Sequence, residues 1–385
     1  MSARKIAIWH DAGLIDAATR DQLLAYEESH ARPLALWAVF GIGALAIGLG
    51  LVSVVAANWE DIPGQLRLAV HLALIAGALA ALFLREQRIA ATSPWAVEAL
   101  LFVTAALGLT FFGHLGQVYQ TSSPLWKPLA VWLALFAPLL LLMGRSWPSA
   151  LAVLGGSVWC AWEYVWASTS YTTESRAPGM GLLLWFAFVT ALPVLFAPCA
   201  AWLRGRNARP DFWRRLEQLA LAYAVAGAAF ATVVASAGDF GSRGLTQEFA
   251  SMLVSCGVAV IAGIAVMLAR PGISGRMAGA IIVGAGLVPP LAYIANDLTA
   301  PAAALFMALW VGIAAAALVA GWRGVFQLSV AVIALRLIIL SFELASDLLL
   351  SGFGLILSGF MILGVAWVAV RVSKTFAPPS EGAEA

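Results

Sequence analysis

Residues 53–67 read SVVAANWEDIPGQLR. The stretch closes an apolar run of more than twenty residues with Asn58, Trp59, Glu60 and Asp61, then turns back into a second apolar run. A segment that ends on an amide, an indole and two carboxylates before reversing reads as a helix leaving hydrocarbon at headgroup depth, where Trp is favoured. That reading, extended along the chain, decides the fold.

Of the 385 residues, 62% are apolar and 11% charged, and the mean hydropathy is +0.91; a soluble domain carries about 25% charged residues. Such a chain cannot cover itself in polar surface. About 20 apolar residues rising ~1.5 Å each cross a ~30 Å hydrocarbon layer. By that measure about twelve spans are expected, near 34–57, 66–84, 96–118, 125–143, 148–168, 180–203, 216–237, 248–269, 277–296, 300–320, 325–345 and 347–370. The runs do not alternate polar and apolar residues and are about twice the length of a membrane strand, which argues against a β-barrel. Helices satisfy their own backbone groups in lipid. The expected fold is all-α, a polytopic integral membrane helix bundle.

Twelve spans place 17 of the 22 Lys and Arg residues on one side, four on the other (Arg67, Lys127, Arg176 and Arg243) and Arg336 within a span. The richer side is expected to be cytoplasmic, with both termini inside and Asn58 to Asp61 outside. The division expected is a cytoplasmic helical hairpin over 1–33, a transmembrane bundle over 34–372 and a disordered cytoplasmic tail over 373–385. The opening MSARKIAIWHDAGLIDAATRDQLL is charged and interrupted, unlike a cleavable signal. In the hairpin, a first helix runs to about Ala12, Gly13 supplies a left-handed exit, and Asp16 caps a second helix carrying Leu23, Leu24 and Tyr26.

Sequence motifs exclude several chemistries. Cys160, Cys199 and Cys256 are far apart and inside spans, without metal spacing. The four histidines are scattered, and neither HExxH nor GxSxG occurs. Gly41-Ile42-Gly43-Ala44-Leu45-Ala46 matches the dinucleotide pattern GxGxxG/A, but it falls inside a membrane helix, where backbone N–H groups are already used. Gly41, Gly43, Gly48 and Gly50 read as sites of close helix approach. No metal, cofactor or nucleic-acid partner is expected; the partners expected are the lipid bilayer and a small polar or amphipathic ligand.

Ionisable groups within spans carry the functional reading, because they are costly in hydrocarbon. Arg336, in VIALRLIIL, lies roughly 18 Å from the inner end of its span, and Glu163, in CAWEYVW, roughly 22 Å along a span of the same direction, at the helical rise. The two are at depths where they could pair, with Glu343, seven residues after Arg336, as an alternative partner. The outer ends of the odd-numbered spans collect Asn58, Trp59 and Glu60; His114, Gln117 and Tyr119; Trp159, Trp162, Glu163, Tyr164 and Trp166; Tyr293, Asn296 and Asp297; and Glu343. An aromatic belt with helix caps accounts for the tryptophans, and an outward-facing pocket for the amides and carboxylates. In GAGLVPPLAYIAND, Pro289 and Pro290 remove two backbone donors, so the ninth span is either a broken helix lining a site or an ordinary kinked one.

The hairpin with Trp9 and Gly13-Leu14-Ile15, the Ala56-Ala57-Asn58-Trp59 end of a glycine-rich span, and Gly116-Gln117-Val118-Tyr119 followed by Trp126 and Trp132 resemble the bacterial membrane family catalogued as domain of unknown function 2157. The likeness covers about residues 5–150. It implies a multi-spanning protein of the bacterial cytoplasmic (inner) membrane, and it supplies no catalytic residues because the family has no established activity.

Three classes of function remain. A transporter or ligand-binding membrane protein would use Arg336, Glu163 and the ninth span, with Glu98 and Gln327 as inner-side groups. A membrane enzyme acting on a lipid-linked or periplasmic substrate would use Glu60, Asp61 or Glu163 as acid or base. A scaffold or sensor would use the hairpin and the loop LRGRNARPDFWRR, whose five arginines also fit topology and anionic headgroups. The first class is preferred, with an outward-facing pocket.

Overall fold

The computed structural model describes residues 6, 9–30, 62–92, 94–172, 179–206, 209–237 and 247–344, with isolated positions between 359 and 371. The first expected span, most of the last, the glycines at 41–50, the segment Asn58 to Asp61 and the C-terminal tail lie outside the described residues, as does the side chain of Glu343.

Among the described residues there are helices and turns and no strands. The helices are α1 (Ala17–His30), α2 (Gly64–Thr92), α3 (Pro94–Tyr119), α4 (Trp126–Met143), α5 (Trp147–Thr172), α6 (Met180–Ala191), α7 (Phe196–Arg204), α8 (Pro210–Ala237), α9 (Gln247–Ala269), α10 (Ile273–Ile294), α11 (Thr299–Val319) and α12 (Arg323–Leu344). A 3₁₀ turn, Leu192–Leu195, joins α6 to α7. Packing divides the chain into Met1–Ala69 and Val70–Ala385, the boundary falling within α2.

In the first unit the described residues include the turn expected at Gly13 and the helix expected after Asp16. Gly13 takes φ +71°, and Leu14 N–H donates to the Trp9 carbonyl at 2.9 Å while Gly13 N–H donates to His10 at 3.0 Å, the bond pair that closes a helix through a left-handed glycine. Asp16 Oδ1 then accepts from Thr19 N–H at 2.8 Å and caps α1.

In the second unit, long apolar segments become helices because hydrocarbon leaves no other way to satisfy the backbone. Among the described residues, nine segments are long and apolar enough to cross a membrane: α2, α3, α4, α6 through α7, α8, α9, α10, α11 and α12. The expected fifth span forms α5, whose 26 residues are long enough to cross, but its tryptophans, serines and Glu163 dilute its hydropathy and it is not among the nine. Leu84, Leu268 and Leu142 are 82%, 79% and 74% exposed. In water each would forgo about 1.5–3 kcal/mol of burial, whereas acyl chains accept them without cost, so the exposed leucines mark a lipid-facing surface.

Most enclosed is α10, with 56% of its apolar window buried and α8, α9 and α11 against it. Small residues make the α9–α10 contact. A Cβ on Gly263 would stand 2.6 Å from the Gly279 carbonyl oxygen, and one on Gly286 would stand 2.5 Å from the Ala259 Cβ. This is the close approach that glycine permits in lipid. Pro289 and Pro290 lie inside an uninterrupted α10, so the ninth span is not the broken one. The break is at Pro193, where the helix tightens to 3₁₀.

Candidate functional site

Among the described residues of the second unit, polar chemistry gathers at the arginine-rich end, around Arg336 and at a histidine pair. At the arginine-rich end of the helices it is spent on holding them. Glu98, on α3, accepts from Ser146 Oγ at 2.5 Å, Ser149 Oγ at 2.9 Å and the Arg145 N–H, so a buried carboxylate caps the N-terminus of α5. Arg209 donates to the Gly144 and Leu141 carbonyls at 2.7 and 2.5 Å at the C-terminal end of α4. An anion at one helix's N-terminus and a cation at its neighbour's C-terminus suit both helix dipoles. Burial, together with the nearby Arg145, pulls Arg209 below the usual arginine value, while Glu98 acts in the opposite sense. Glu217 is buried between Arg204 at 3.4 Å and Arg270 at 2.9 Å, tying α7, α8 and α9 together. Gln327, the other inner-side group expected, is exposed on α12.

Near the opposite ends of α8, α10 and α12 the structure draws Arg336, Asn296 and Asp297 towards Ala235–Ser236. Arg336 is 5% exposed, donates to Ser236 Oγ at 3.3 Å and lies over the Phe306 ring at 5.7 Å. Asp297, at φ 62°, donates its N–H to the Ala235 carbonyl at 3.1 Å, and Asn296 is 1% exposed. Arg336 does not pair with Glu163. Glu163 accepts from Trp159 Nε1 one turn earlier on α5 at 3.2 Å; α5 packs on α3, α4, α6 and α8, and α12 on α11. Equal depth put the two residues at one height, but the order of helices around the bundle put them apart.

His114 meets a residue that sequence reasoning passed over. His71 Nδ1 and His114 Nδ1 are 3.2 Å apart, and His71 Nε2 donates to the Leu107 carbonyl at 3.0 Å. A carbonyl can only accept, so in the neutral pair His71 carries its proton on Nε2 and His114 supplies the one between the rings. The pair clasps α2 to α3. Gln117 and Tyr119 are exposed at the end of α3.

Apart from these lies an apolar slot between α4, α5 and α6 of about 430 Å³, lined by Trp126, Leu133, Ser157, Cys160, Ala161, Tyr164, Trp185, Val189, Leu192, Pro193 and Phe196. From Trp185 to Phe196 it follows the chain for roughly 16 Å at the helical rise. Its Trp185 end is aromatic: Trp126 meets Tyr164 edge-on at 5.2 Å, and Trp185 Nε1 donates to the Tyr164 hydroxyl at 3.2 Å. At its Phe196 end is the 3₁₀ break. Pro193 offers no N–H there, and Tyr223 reaches across from α8 to donate to the Thr190 carbonyl at 2.7 Å while accepting from Trp162 at 3.0 Å. A neighbour's hydroxyl thus serves the backbone where the helix tightens. Among the described residues of the expected rim, Tyr164 lines this slot, and Trp159, Trp162 and Trp166 do not. Its α6 wall is plain apolar sequence, and the one signal for it was proline in LPVLFAP, 192–198.

A lipid-facing surface of large apolar side chains and, among the described residues, nine span-length apolar segments define a polytopic α-helical membrane protein. Over residues 7–149 the chain matches the model of the family described as predicted membrane protein (DUF2157). The match takes in α1 through α4 and the first turn of α5, so it includes the His71–His114 clasp and the Trp126 and Leu133 wall of the slot. No curated protein and no solved structure matches the chain.

Proposed function

We propose that this is a ligand-binding protein of the bacterial cytoplasmic membrane, with its termini in the cytoplasm, whose slot between α4, α5 and α6 takes the hydrocarbon part of an amphipathic molecule from the outward-facing half of the bilayer. The supporting observation is the slot itself. Its volume of about 430 Å³ is in the range of ligand pockets, roughly 300–1,000 Å³. Its lining is almost wholly carbon, so water has too few polar partners to remain there. Hydrocarbon fills such a space best.

The transporter reading has less support. Arg336 and Glu163 have different partners, and Glu98 is occupied in capping α5. The 17 to 4 division of Lys and Arg supports this orientation, with the aromatic end of the slot outermost. The test is lipid retention in native mass spectrometry of the detergent-purified protein. The unsubstituted protein is expected to keep one lipid that Ser157→Phe, which fills the slot, does not. Equal retention by both would remove the slot as the binding site.

A further inference from the structure

The mouth of the slot carries two groups that a bare hydrocarbon chain would not use. Lys127, the second residue of α4, is exposed and its Nζ lies 5.8 Å from the centre of the Trp126 ring, within cation–π range. Among the described residues no carboxylate is within ion-pair distance of it. Tyr164 accepts from Trp185 on its hydroxyl oxygen, which leaves its own proton to donate, and among the described residues that proton meets no acceptor. The Tyr164 ring is 5.2 Å from the same Trp126 ring, so cation and donor flank one indole. At this end α6 also begins without a side-chain cap, adding the positive end of a helix dipole. Lys127 is one of four Lys or Arg residues on the cation-poor side expected from the sequence, where the topology rule disfavours them.

Resting on the slot reading above, we infer that the occupant is an anionic phospholipid of the surrounding leaflet, with one acyl chain in the slot and its phosphate held by Lys127 and Tyr164. One cation and one neutral donor match the single negative charge of a phosphodiester. The slot opens directly on the membrane that supplies such lipids.

The test uses the full chain, purified and stripped of lipid in detergent, with thermal unfolding followed during titration with phosphatidylglycerol, phosphatidylcholine or a polyprenyl phosphate. Phosphatidylglycerol is expected to raise Tm saturably, at about tenfold lower concentration than phosphatidylcholine. Lys127→Gln should remove that tenfold preference, Lys127→Arg should keep it, and Tyr164→Phe should weaken phosphatidylglycerol binding about threefold. Ser157→Phe should abolish binding of both phospholipids. If Ser157→Phe abolishes binding but Lys127→Gln leaves the preference intact, or weakens both phospholipids equally, the phosphate anchor is overturned and the slot stands. If Ser157→Phe leaves both phospholipids bound as before, the slot reading itself falls. Tighter binding of the polyprenyl phosphate than of phosphatidylglycerol would overturn the choice of occupant.

Discussion

A carboxylate can be buried where helices meet if guanidiniums surround it, and Glu217 shows the arrangement. Its side chain is 4% exposed, and Arg204 and Arg270 are 27% and 24% exposed. Replacing it with Gln leaves two cations facing each other without their shared anion. Removing one member of a buried pair costs 3–5 kcal/mol, and because both arginines keep some solvent, a loss of about 3 kcal/mol is expected on thermal or denaturant unfolding in detergent. Asp16 illustrates the exposed counterpart. The Thr19 side chain and N–H hydrogen-bond its carboxylate and hold its pKa below the usual 3.8. A depressed carboxyl contributes its stabilisation above the unfolded value and loses it as pH falls through the folded one. Hydrogen exchange at the Thr19 amide should therefore be slow near neutral pH, accelerate below pH 3.8 relative to the intrinsic rate, and be fast at every pH in Asp16→Ala.

At the scale of helices, two proline sites separate what composition suggests from what packing does. Pro289 and Pro290 lie in α10, where neighbours on several sides hold the helix on its path, so Pro289→Ala should leave lipid binding and the α9–α10 contact unchanged. Pro193 lies where α6 passes through a 3₁₀ turn into α7 and lines the slot. Pro193→Ala restores a backbone donor and lets the helix continue. It should narrow the slot and lower lipid retention severalfold by native mass spectrometry without lowering Tm. The α9–α10 contact makes a converse demand. Gly263→Leu puts a side chain where the Gly279 carbonyl and Val283 already are, and overpacking of this kind costs 1–3 kcal/mol, readable as a fall in Tm.

For the whole molecule, the division of charge predicts that the two ends of α4 to α8 face different compartments. In a chain freed of its native cysteines, Lys127→Cys should react with an impermeant maleimide added to intact cells. Arg206→Cys should react only after the membrane is opened. Reaction of both from the same side would remove the orientation and leave the helix packing untouched.

The class of protein, the positions of the described span-length helices, and the Gly13 turn with its Asp16 cap were legible in the sequence because each depends on local properties: hydropathy over about twenty residues, a glycine that tolerates positive φ, an aspartate three residues before the amide it caps. The rim residues were legible only as depths along separate helices. Depth alone placed Glu163 beside Arg336, and the order of packing gave Glu163 to Trp159 and Arg336 to Ser236 and Phe306. Only the tertiary structure decided that His71 would meet His114, that Glu98 and Glu217 would be consumed as fasteners, and that Trp126, Tyr164 and Trp185 would close around one apolar slot. The physical reason is that lipid rewards any apolar helix equally for being inserted. Side-chain shape, glycine notches and buried charge then choose which helices stand side by side, and those choices depend on residues far apart in the chain.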